Sequence, residues 1–298
     1  MDWIYLSRSR YKEEKQMNEP KAAIRLIATD MDGTLVKWDK QTPEENIHTL
    51  READRKGIFV VPATGRFLAE MPKELMQALN VRYAVLSNGA CVYDWQEKRP
   101  IITTEIPKTE ALQIMQMLDD EPLIYLVTLE NQGWISHRDI ERLTDFVIRE
   151  QTQKQICRVM RRTESIRQLV ENGNTGVEKI LVYTRDIAVR DRLMNEIPRK
   201  FENTTTVVSD LGNLEISHVL ATKGNGVRAL AEYLGLSRDE VMAFGDDDND
   251  MDLISYAGFG VAMGNAKEEL KQAADYVTGA CEEPGLAAAV RKFCLRTD

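Results

Sequence analysis

Short apolar runs alternate along the chain with amphipathic segments, and this alternation sets the first expectation about the fold. The amphipathic segment 42–57 has helix signals at both ends, with Thr42 as the predicted cap, Pro43 in the first turn and Gly57 as the stop. Further helices are predicted up to Leu79, over 223–233 and from Met251. The apolar runs of strand length are 23–29, 58–63, 83–87, 240–245 and 258–264. Strands that alternate with helices predict an α/β fold with a Rossmann-like parallel sheet.

The middle of the chain has a different pattern of predicted elements, in which short strands alternate with helices. Strands are predicted at 123–129, 133–137, 178–184, 205–209 and 214–218, and helices near 109–119, 139–150, 164–172 and 186–199. We interpret residues 92–216 as an α/β cap domain inserted into a core made of 22–91 and 217–298. Residues 1–21 carry charges without the apolar segment of a secretory signal, and they are predicted to be a disordered extension outside the fold.

Composition narrows the class of partner. The 298 residues are 43% hydrophobic and 29% charged with a formal net charge of −9, so the chain lacks the basic surface that nucleic acids or anionic membranes require. No apolar run approaches the ~20 residues needed to cross a bilayer. The four cysteines are far apart and form no C-x-x-C pair, which predicts reduced thiols and a cytoplasmic location. The sequence carries no signal for an oligomeric state.

Candidate chemistry is concentrated where predicted strands end. The run IATDMDGTLV places Asp30 and Asp32 two positions apart after an apolar strand, and residues two apart on an extended backbone face the same side. Gly33 allows the sharp turn that follows. Because ligands of open parallel sheets bind at the carboxyl ends of strands, and two close carboxylates need a cation or a shared proton, this turn predicts a Mg²⁺ site.

Other strand ends carry groups suited to phosphate. Thr64 and Gly65 end the second strand with a hydroxyl and a backbone N–H, and Lys223 brings a positive charge to a helix start. The run GDDDNDMD at 245–252 follows a further strand and places five aspartates in seven positions.

Together, these motifs at strand ends and at a helix start resemble those of the haloacid dehalogenase superfamily, and more closely those of its Cof-type sugar-phosphatase branch. The resemblance covers about residues 22–293 with order and spacing intact. The matching motifs are Asp30-Met31-Asp32-Gly33-Thr34-Leu35, Thr64-Gly65-Arg66, Ser87-Asn88-Gly89, Lys223-Gly224, Gly245-Asp246-x-x-Asn249-Asp250 and the supporting 260–266.

The resemblance implies a role for each matching residue. Asp30 is the expected nucleophile that forms an aspartyl-phosphate, and Asp32 the general acid and base. Mg²⁺ is expected on the carboxylates of Asp30 and Asp246 and on the backbone carbonyl of Asp32. Phosphate or substrate is expected at Gly33, Thr64, Gly65, Lys223 and Asn249, with Asp250 behind them orienting Lys223 or a metal-bound water.

The implied activity is Mg²⁺-dependent hydrolysis of a small phosphomonoester, with sugar phosphates as the leading class of metabolite. Two alternatives stay open at this stage: a phosphomutase, which passes the phosphoryl group to another hydroxyl, and a non-catalytic sugar-phosphate sensor. The cap is expected to select the substrate and exclude water. Asp247, Asp248 and Asp252 fall outside the motif and are expected to point to water, and His218 is expected near the place where cap and core rejoin.

Overall fold

A computed structural model describes residues 19–209 and 212–295. The predicted N-terminal extension, 1–21, therefore lies outside the described residues except for its last three positions. The strands of the described residues are, in chain order, β1 (Leu26–Thr29), β2 (Phe59–Pro62), β3 (Tyr83–Leu86), β4 (Cys91–Asp94), β5 (Arg99–Thr103), β6 (Leu123–Leu129), β7 (Gln132–Ser136), β8 (Arg161–Thr163), β9 (Lys179–Thr184), β10 (Thr204–Val207), β11 (Asn213–His218), β12 (Val241–Gly245), β13 (Phe259–Ala262) and β14 (Tyr276–Val277).

The α-helices connect these strands and cover their faces. In chain order they are α1 (Glu44–Arg55), α2 (Lys73–Leu79), α3 (Lys108–Asp119), α4 (His137–Glu141), α5 (Leu143–Phe146), α6 (Glu150–Val159), α7 (Ile166–Asn172), α8 (Ile187–Lys200), α9 (Lys223–Tyr233), α10 (Met251–Tyr256), α11 (Glu268–Ala273) and α12 (Gly285–Cys294).

Five parallel strands, in the order β14-β13-β12-β1-β2, form the central sheet of the core. Successive side chains of β1 point to opposite faces of this sheet. Ile27 packs in a cluster with residues of α1, α2 and α12, whereas Leu26 and Ala28 pack in a second cluster with residues of α9, α10 and α11. The core is thus a three-layer α/β/α arrangement, and the predicted fold class is confirmed.

A second, six-stranded sheet lies between Leu123 and His218, in the order β10-β11-β9-β6-β7-β8. Its strands pair antiparallel except for β7 with β8. One face packs in an apolar cluster with residues of α3, α7 and α8, and the opposite face contributes to a smaller cluster with residues of α5 and α6.

The strands β4 and β5 fall within the predicted insertion 92–216, but they pair with β3 rather than with the six-stranded sheet. A bridge between Ala63 and Val85 in turn joins β3 to the end of β2. The division into a core and an inserted cap at 92 and 216 stays a prediction, with β4 and β5 hydrogen-bonded to the core side.

Two predicted features of the helices are wrong. The first helix begins at Glu44 after Pro43, and Thr42 makes no side-chain cap, because proline already fixes the extended backbone at the helix entrance. The helix predicted over 139–150 is replaced by α4 and α5, and α6 begins only at Glu150.

Candidate active site

The turn after β1 is built around close backbone approach. The N–H of Asp30 donates to the carbonyl of Phe244 at 3.0 Å, which fixes the start of the turn against β12. Gly33 has a φ of +90°, and a Cβ there would lie 2.3 Å from Oδ2 of Asp246. The N–H of Gly33 donates to the carbonyl of Val36 at 2.8 Å. The absence of a side chain at Gly33 therefore leaves room for the carboxylate of Asp246. A contact between Gly33 and phosphate stays a prediction.

Asp246 follows β12 and meets the turn after β1 at the same edge of the sheet. Its Oδ1 accepts from the Thr34 hydroxyl at 2.7 Å, and its Oδ2 accepts from Nδ2 of Asn265 at 3.2 Å. Oxygen atoms of Asp30, Asp246 and Asp250 all lie within 4.8 Å of one another, and all three residues are buried. The parallel register of β1 and β12 thus gathers three carboxylates from two distant parts of the chain.

Lys223, at the first position of α9, supplies the cation of this cluster. Its side chain is 1% exposed, and its Nζ donates to Oδ1 of Asp30 at 2.5 Å and to Oδ1 of Asp250 at 2.6 Å. Oδ2 of Asp250 accepts the N–H groups of Asp246 and Asp247 at 2.9 and 3.1 Å. Asp250 therefore holds both the lysine and the loop that follows β12.

Three buried carboxylates lie around one ammonium group, so negative charge is in excess. This excess and the burial raise the pKa values of two of the carboxylates. Burial is the main cause that raises the pKa of Asp30 to about 8, with Asp250 and Asp246 adding to the shift and Lys223 opposing it. Burial also raises the pKa of Asp246 to about 6, against the hydrogen bond from Thr34. Burial lowers the pKa of Lys223, but Asp30 and Asp250 more than offset this and the net shift is upward.

The excess negative charge suits a divalent cation. Among the described residues, Oδ2 of Asp30 has no hydrogen-bond partner, and each oxygen of Asp246 accepts one uncharged hydrogen bond. Asp250 instead accepts three hydrogen bonds, one of them from the ammonium group of Lys223. A buried pair of carboxylates with oxygen lone pairs to spare is the donor set that Mg²⁺ prefers. Asp30 and Asp246 fit this ion better than Asp250 does.

Asp32 is not part of the carboxylate cluster and pairs with two cations instead. Arg66 binds its carboxylate in bidentate fashion, at 2.9 Å from Nε and 2.6 Å from Nη2, and Nζ of Lys40 lies at 2.7 Å. Burial raises the pKa of Asp32, but the hydrogen bonds and charges of Arg66 and Lys40 outweigh it and hold the pKa below its usual value. Sequence reasoning quoted Arg66 within a motif but gave it no part in the site.

Thr64 and Gly65 form a loop that is held by a left-handed turn at Ser87, Asn88 and Gly89. These three residues have φ values of +50°, +54° and +96°. The N–H of Asn88 donates to the carbonyl of Thr64 at 2.9 Å, and Nδ2 of the exposed Asn249 donates to Oδ1 of Asn88 at 3.2 Å. Asn88 therefore links the Thr64 loop to the loop after β12, a connection that sequence reasoning missed.

A match to a family model decides the affiliation of the chain. The model describes haloacid dehalogenase-like hydrolases, and it covers residues 27–290. The chain belongs to this family.

Proteins similar to this haloacid dehalogenase-like hydrolase are found both by sequence and by structure. The 5-amino-6-(5-phospho-D-ribitylamino)uracil phosphatase YcsE of Bacillus subtilis is 29% identical, over 91% of this chain and 96% of its own. Phosphatase YwpJ of the same organism is 31% identical, over 89% of this chain and 98% of its own. A crystal structure of a haloacid dehalogenase-like hydrolase from Bacteroides thetaiotaomicron is 26% identical with a TM-score of 0.77, over 90% and 99%. The predicted family, and an enzyme of the phosphatase class, are confirmed.

The aspartates outside the motif make contacts in this hydrolase that the sequence did not predict. Asp247 and Asp248 are exposed, and each pairs with Nζ of Lys267 at 2.5 Å. Asp252 was expected to point to water, but its Oδ2 accepts the N–H of Gly224 at 2.8 Å. A Cβ on Gly224 would lie 2.6 Å from the carbonyl of Asp252, so the starts of α9 and α10 are packed together and the carboxylate is drawn to the nearest N–H.

Two further findings concern the surroundings of the hydrolase site. Nδ1 of His218 accepts the N–H of Leu220 at 3.1 Å at the point where the chain returns to the core. Within the described residues, no helix combines the length and apolar content that crossing a bilayer requires.

Proposed function

We propose that this protein hydrolyses a small phosphomonoester with Mg²⁺, through an aspartyl-phosphate on Asp30. One observation carries the proposal: Asp30 is buried at a strand end, with Oδ1 held by Lys223 and Oδ2 without a partner among the described residues, beside Asp246. A carboxylate fixed through one oxygen leaves the other oriented for attack on phosphorus.

The two half-reactions divide between Asp30 and Asp32. Oδ2 of Asp30 forms a bond to phosphorus while the bond from phosphorus to the alkoxide breaks, and the alkoxide takes a proton from Asp32. Asp32 then accepts a proton from the water that attacks the aspartyl-phosphate, which releases inorganic phosphate and restores Asp30. Arg66 and Lys40 lower the pKa of Asp32, which favours the ionised form that the second half-reaction needs and opposes the protonated form that the first one needs.

The phosphoryl group is proposed to lie among donors from three loops. Thr64 offers a buried hydroxyl, Gly65 a backbone N–H, Lys223 an ammonium group and Asn249 a side-chain amide. Phosphoryl transfer depends mainly on positioning and on stabilising charge spread over the equatorial oxygens, so fixed donors are the main contribution of the chain. Mg²⁺, held by Asp30, Asp246 and the backbone carbonyl of Asp32, would neutralise part of that charge.

A hydroxyl-rich alcohol, such as a sugar, is the proposed leaving group. The face of the six-stranded sheet that carries Lys179 also carries Thr205, Glu215 and Ser217, since antiparallel partners share a face. The same face also carries the apolar residues Leu126 and Leu181, so the polar side chains form a patch on it. Nζ of Lys179 reaches the carbonyl of Gly65, which brings this patch next to the proposed phosphoryl site. The name of YcsE, a 5-amino-6-(5-phospho-D-ribitylamino)uracil phosphatase, is in line with such a substrate. A cytoplasmic site of action remains part of the proposal.

The test is phosphate release by purified protein with Mg²⁺ from a panel of phosphomonoesters. Asp246→Ala is expected to abolish Mg²⁺-dependent turnover, whereas Asp248→Ala, at an exposed residue paired with Lys267, should retain most of it. Analysis of products separates hydrolysis from a mutase, which would yield isomerised sugar phosphate. Absence of phosphate release across the panel would overturn the proposal.

A further inference from the structure

The loop that carries Thr64 and Gly65 is fixed through its three carbonyl groups. The carbonyl of Thr64 accepts the N–H of Asn88, and that of Arg66 accepts the N–H of Ser87, each at 2.9 Å. The carbonyl of Gly65, between them, accepts from Nζ of Lys179 at 3.2 Å. Two anchors come from the turn that follows β3, and the third comes from β9 of the six-stranded sheet, 114 positions along the chain.

Lys179 is built into this position. It is 9% exposed, and its Nζ also lies 3.4 Å from Oε2 of Glu215. Oε1 of Glu215 accepts from the hydroxyl of Ser209 at 2.6 Å. Burial raises the pKa of Glu215, but Lys179 and the Ser209 hydroxyl together outweigh this and the net shift is downward, which keeps the carboxylate ionised beside the ammonium. The lysine is therefore held from behind by Glu215 while it donates to Gly65.

The neighbouring residue, Glu178, connects the start of β9 to Ser87 in the turn that follows β3. Its side chain is fully buried, and its Oε2 accepts from the Ser87 hydroxyl at 3.2 Å. Its Oε1 accepts from the N–H of Asn131 at 2.6 Å, in the turn between β6 and β7. Glu178 immediately precedes β9, and Glu178 and Lys179 hold two different loops of the core, the turn at Ser87 and the loop at Gly65.

Peptide geometry carries these contacts into the site. The C=O and N–H of a trans peptide point in opposite directions, so the bond from Lys179 to the Gly65 carbonyl orients the N–H of Arg66. That N–H donates to Oγ1 of Thr64 at 3.2 Å, which leaves the hydroxyl proton of Thr64 free to donate elsewhere. The side chain of Arg66 binds Asp32. The orientation of the peptide between Gly65 and Arg66 therefore affects both the Thr64 hydroxyl and the position of Arg66, which binds Asp32.

We propose that Lys179 is a positioning residue for the phosphoryl-binding loop, supported by Glu178. The six-stranded unit then contributes to the chemical step itself, whichever alcohol carries the phosphate. This inference rests on the proposed phosphatase function. It differs from a role in selecting substrate, because the lysine acts through Gly65, Arg66 and Thr64 rather than through the leaving group.

The experiment compares Lys179→Met with Lys154→Met. Both remove an ammonium group and keep a flexible stem, but Lys154 is exposed and pairs with Glu150 one helical turn away. Turnover is measured with two substrates. One is p-nitrophenyl phosphate, whose aryl leaving group has no hydroxyl groups to bind the polar side chains of the sheet, and the other is the best sugar phosphate of the panel. Inhibition by inorganic phosphate and amide hydrogen exchange of residues 64–66 are measured on the same proteins.

Misplacement of a reacting group by about 1 Å costs on the order of 10²-fold in rate. We therefore expect Lys179→Met to lower kcat by about 10- to 100-fold, alike for both substrates, to raise the inhibition constant for phosphate and to speed exchange at 64–66. Lys179→Arg, which keeps a cationic donor, should recover part of the rate, and Lys154→Met should match the parent. Thermal denaturation of each variant separates loss of fold from loss of positioning.

Two results would overturn the inference. Loss of turnover with the sugar phosphate alone would show that Lys179 binds the alcohol, and unchanged turnover with both substrates would show that the loop needs no anchor. If the parent releases no phosphate from any substrate, the proposed function fails, and hydrogen exchange at 64–66 alone then decides whether Lys179 holds the loop.

Discussion

Competition between protons and Mg²⁺ at Asp30 and Asp246 gives the sharpest test of the candidate metal site. Both pKa values lie above the ordinary aspartate range, at about 8 for Asp30 and about 6 for Asp246. The two carboxylates are close enough that these values belong to the cluster as a whole. Raised values mean that the metal-free site holds protons at neutral pH, and Mg²⁺ must displace them to bind.

The expected size of the effect follows from the two values. At pH 8, about half of Asp30 and nearly all of Asp246 are ionised, whereas at pH 6 these fractions are about 1% and one half. The doubly ionised site is therefore about 100-fold more abundant at pH 8 than at pH 6, which corresponds to roughly 3 kcal/mol of apparent binding free energy. At pH 7, binding of one Mg²⁺ should release about one proton.

Isothermal titration calorimetry measures both quantities, with the released protons counted from runs in two buffers of different ionisation enthalpy. The apparent Kd for Mg²⁺ should fall by about two orders of magnitude from pH 6 to pH 8. Asp248→Asn removes an exposed acidic group of the same loop and should leave this profile unchanged. A Kd that is flat between pH 6 and pH 8, with no proton released, would refute the reasoning that the buried carboxylates are protonated without the ion.

Two stability predictions follow from the surrounding turns. Gly89→Ala should lower the free energy of unfolding by roughly 2–4 kcal/mol, because its φ is +96° and the new Cβ would lie 2.0 Å from the Thr222 carbonyl, whereas Gly235→Ala meets no atom within 4 Å and should cost only about 1 kcal/mol. Equal losses in urea denaturation would contradict this. Arg66→Met should destabilise the protein at pH 7, and the difference should shrink as pH falls below about 4, because the pair lowers the pKa of Asp32 and so stabilises only the ionised form. A difference that grows in acid would rule out the pair as its source.

Local patterns were enough to find the elements with strong periodicity. The segment 123–129 is strand β6, and 223–233 is helix α9, with the predicted bounds in both cases. The strand β5 was missed because Pro100 argues against a strand, yet β5 lies at the edge of its sheet, where a missing N–H is tolerated. The helix α6 was missed because its residues are mostly polar and only Ile156 is buried.

The candidate site divides in the same way. Asp30, Asp246 and Lys223 follow strand ends or begin a helix, so local signals placed them at one edge of the sheet before any contact was known. The bond from Lys179 to Gly65 joins residues 114 positions apart through a backbone carbonyl, and no residue type signals such an acceptor. Asp252 was misplaced because its partner, the N–H of Gly224, depends on how two helices pack.

The central sheet places β1 beside β12, so that Leu26 pairs with Val241 across most of the chain. Closing a loop of this length costs entropy before any strand contact compensates, and contacts so distant in sequence are formed late in folding. A nascent chain would therefore carry Asp30 at the end of a strand that can pair with β2 but lacks its other neighbour, β12, until residues 241–245 had been synthesised. The carboxylate cluster should be among the last features to form, and its metal affinity would then report completion of folding.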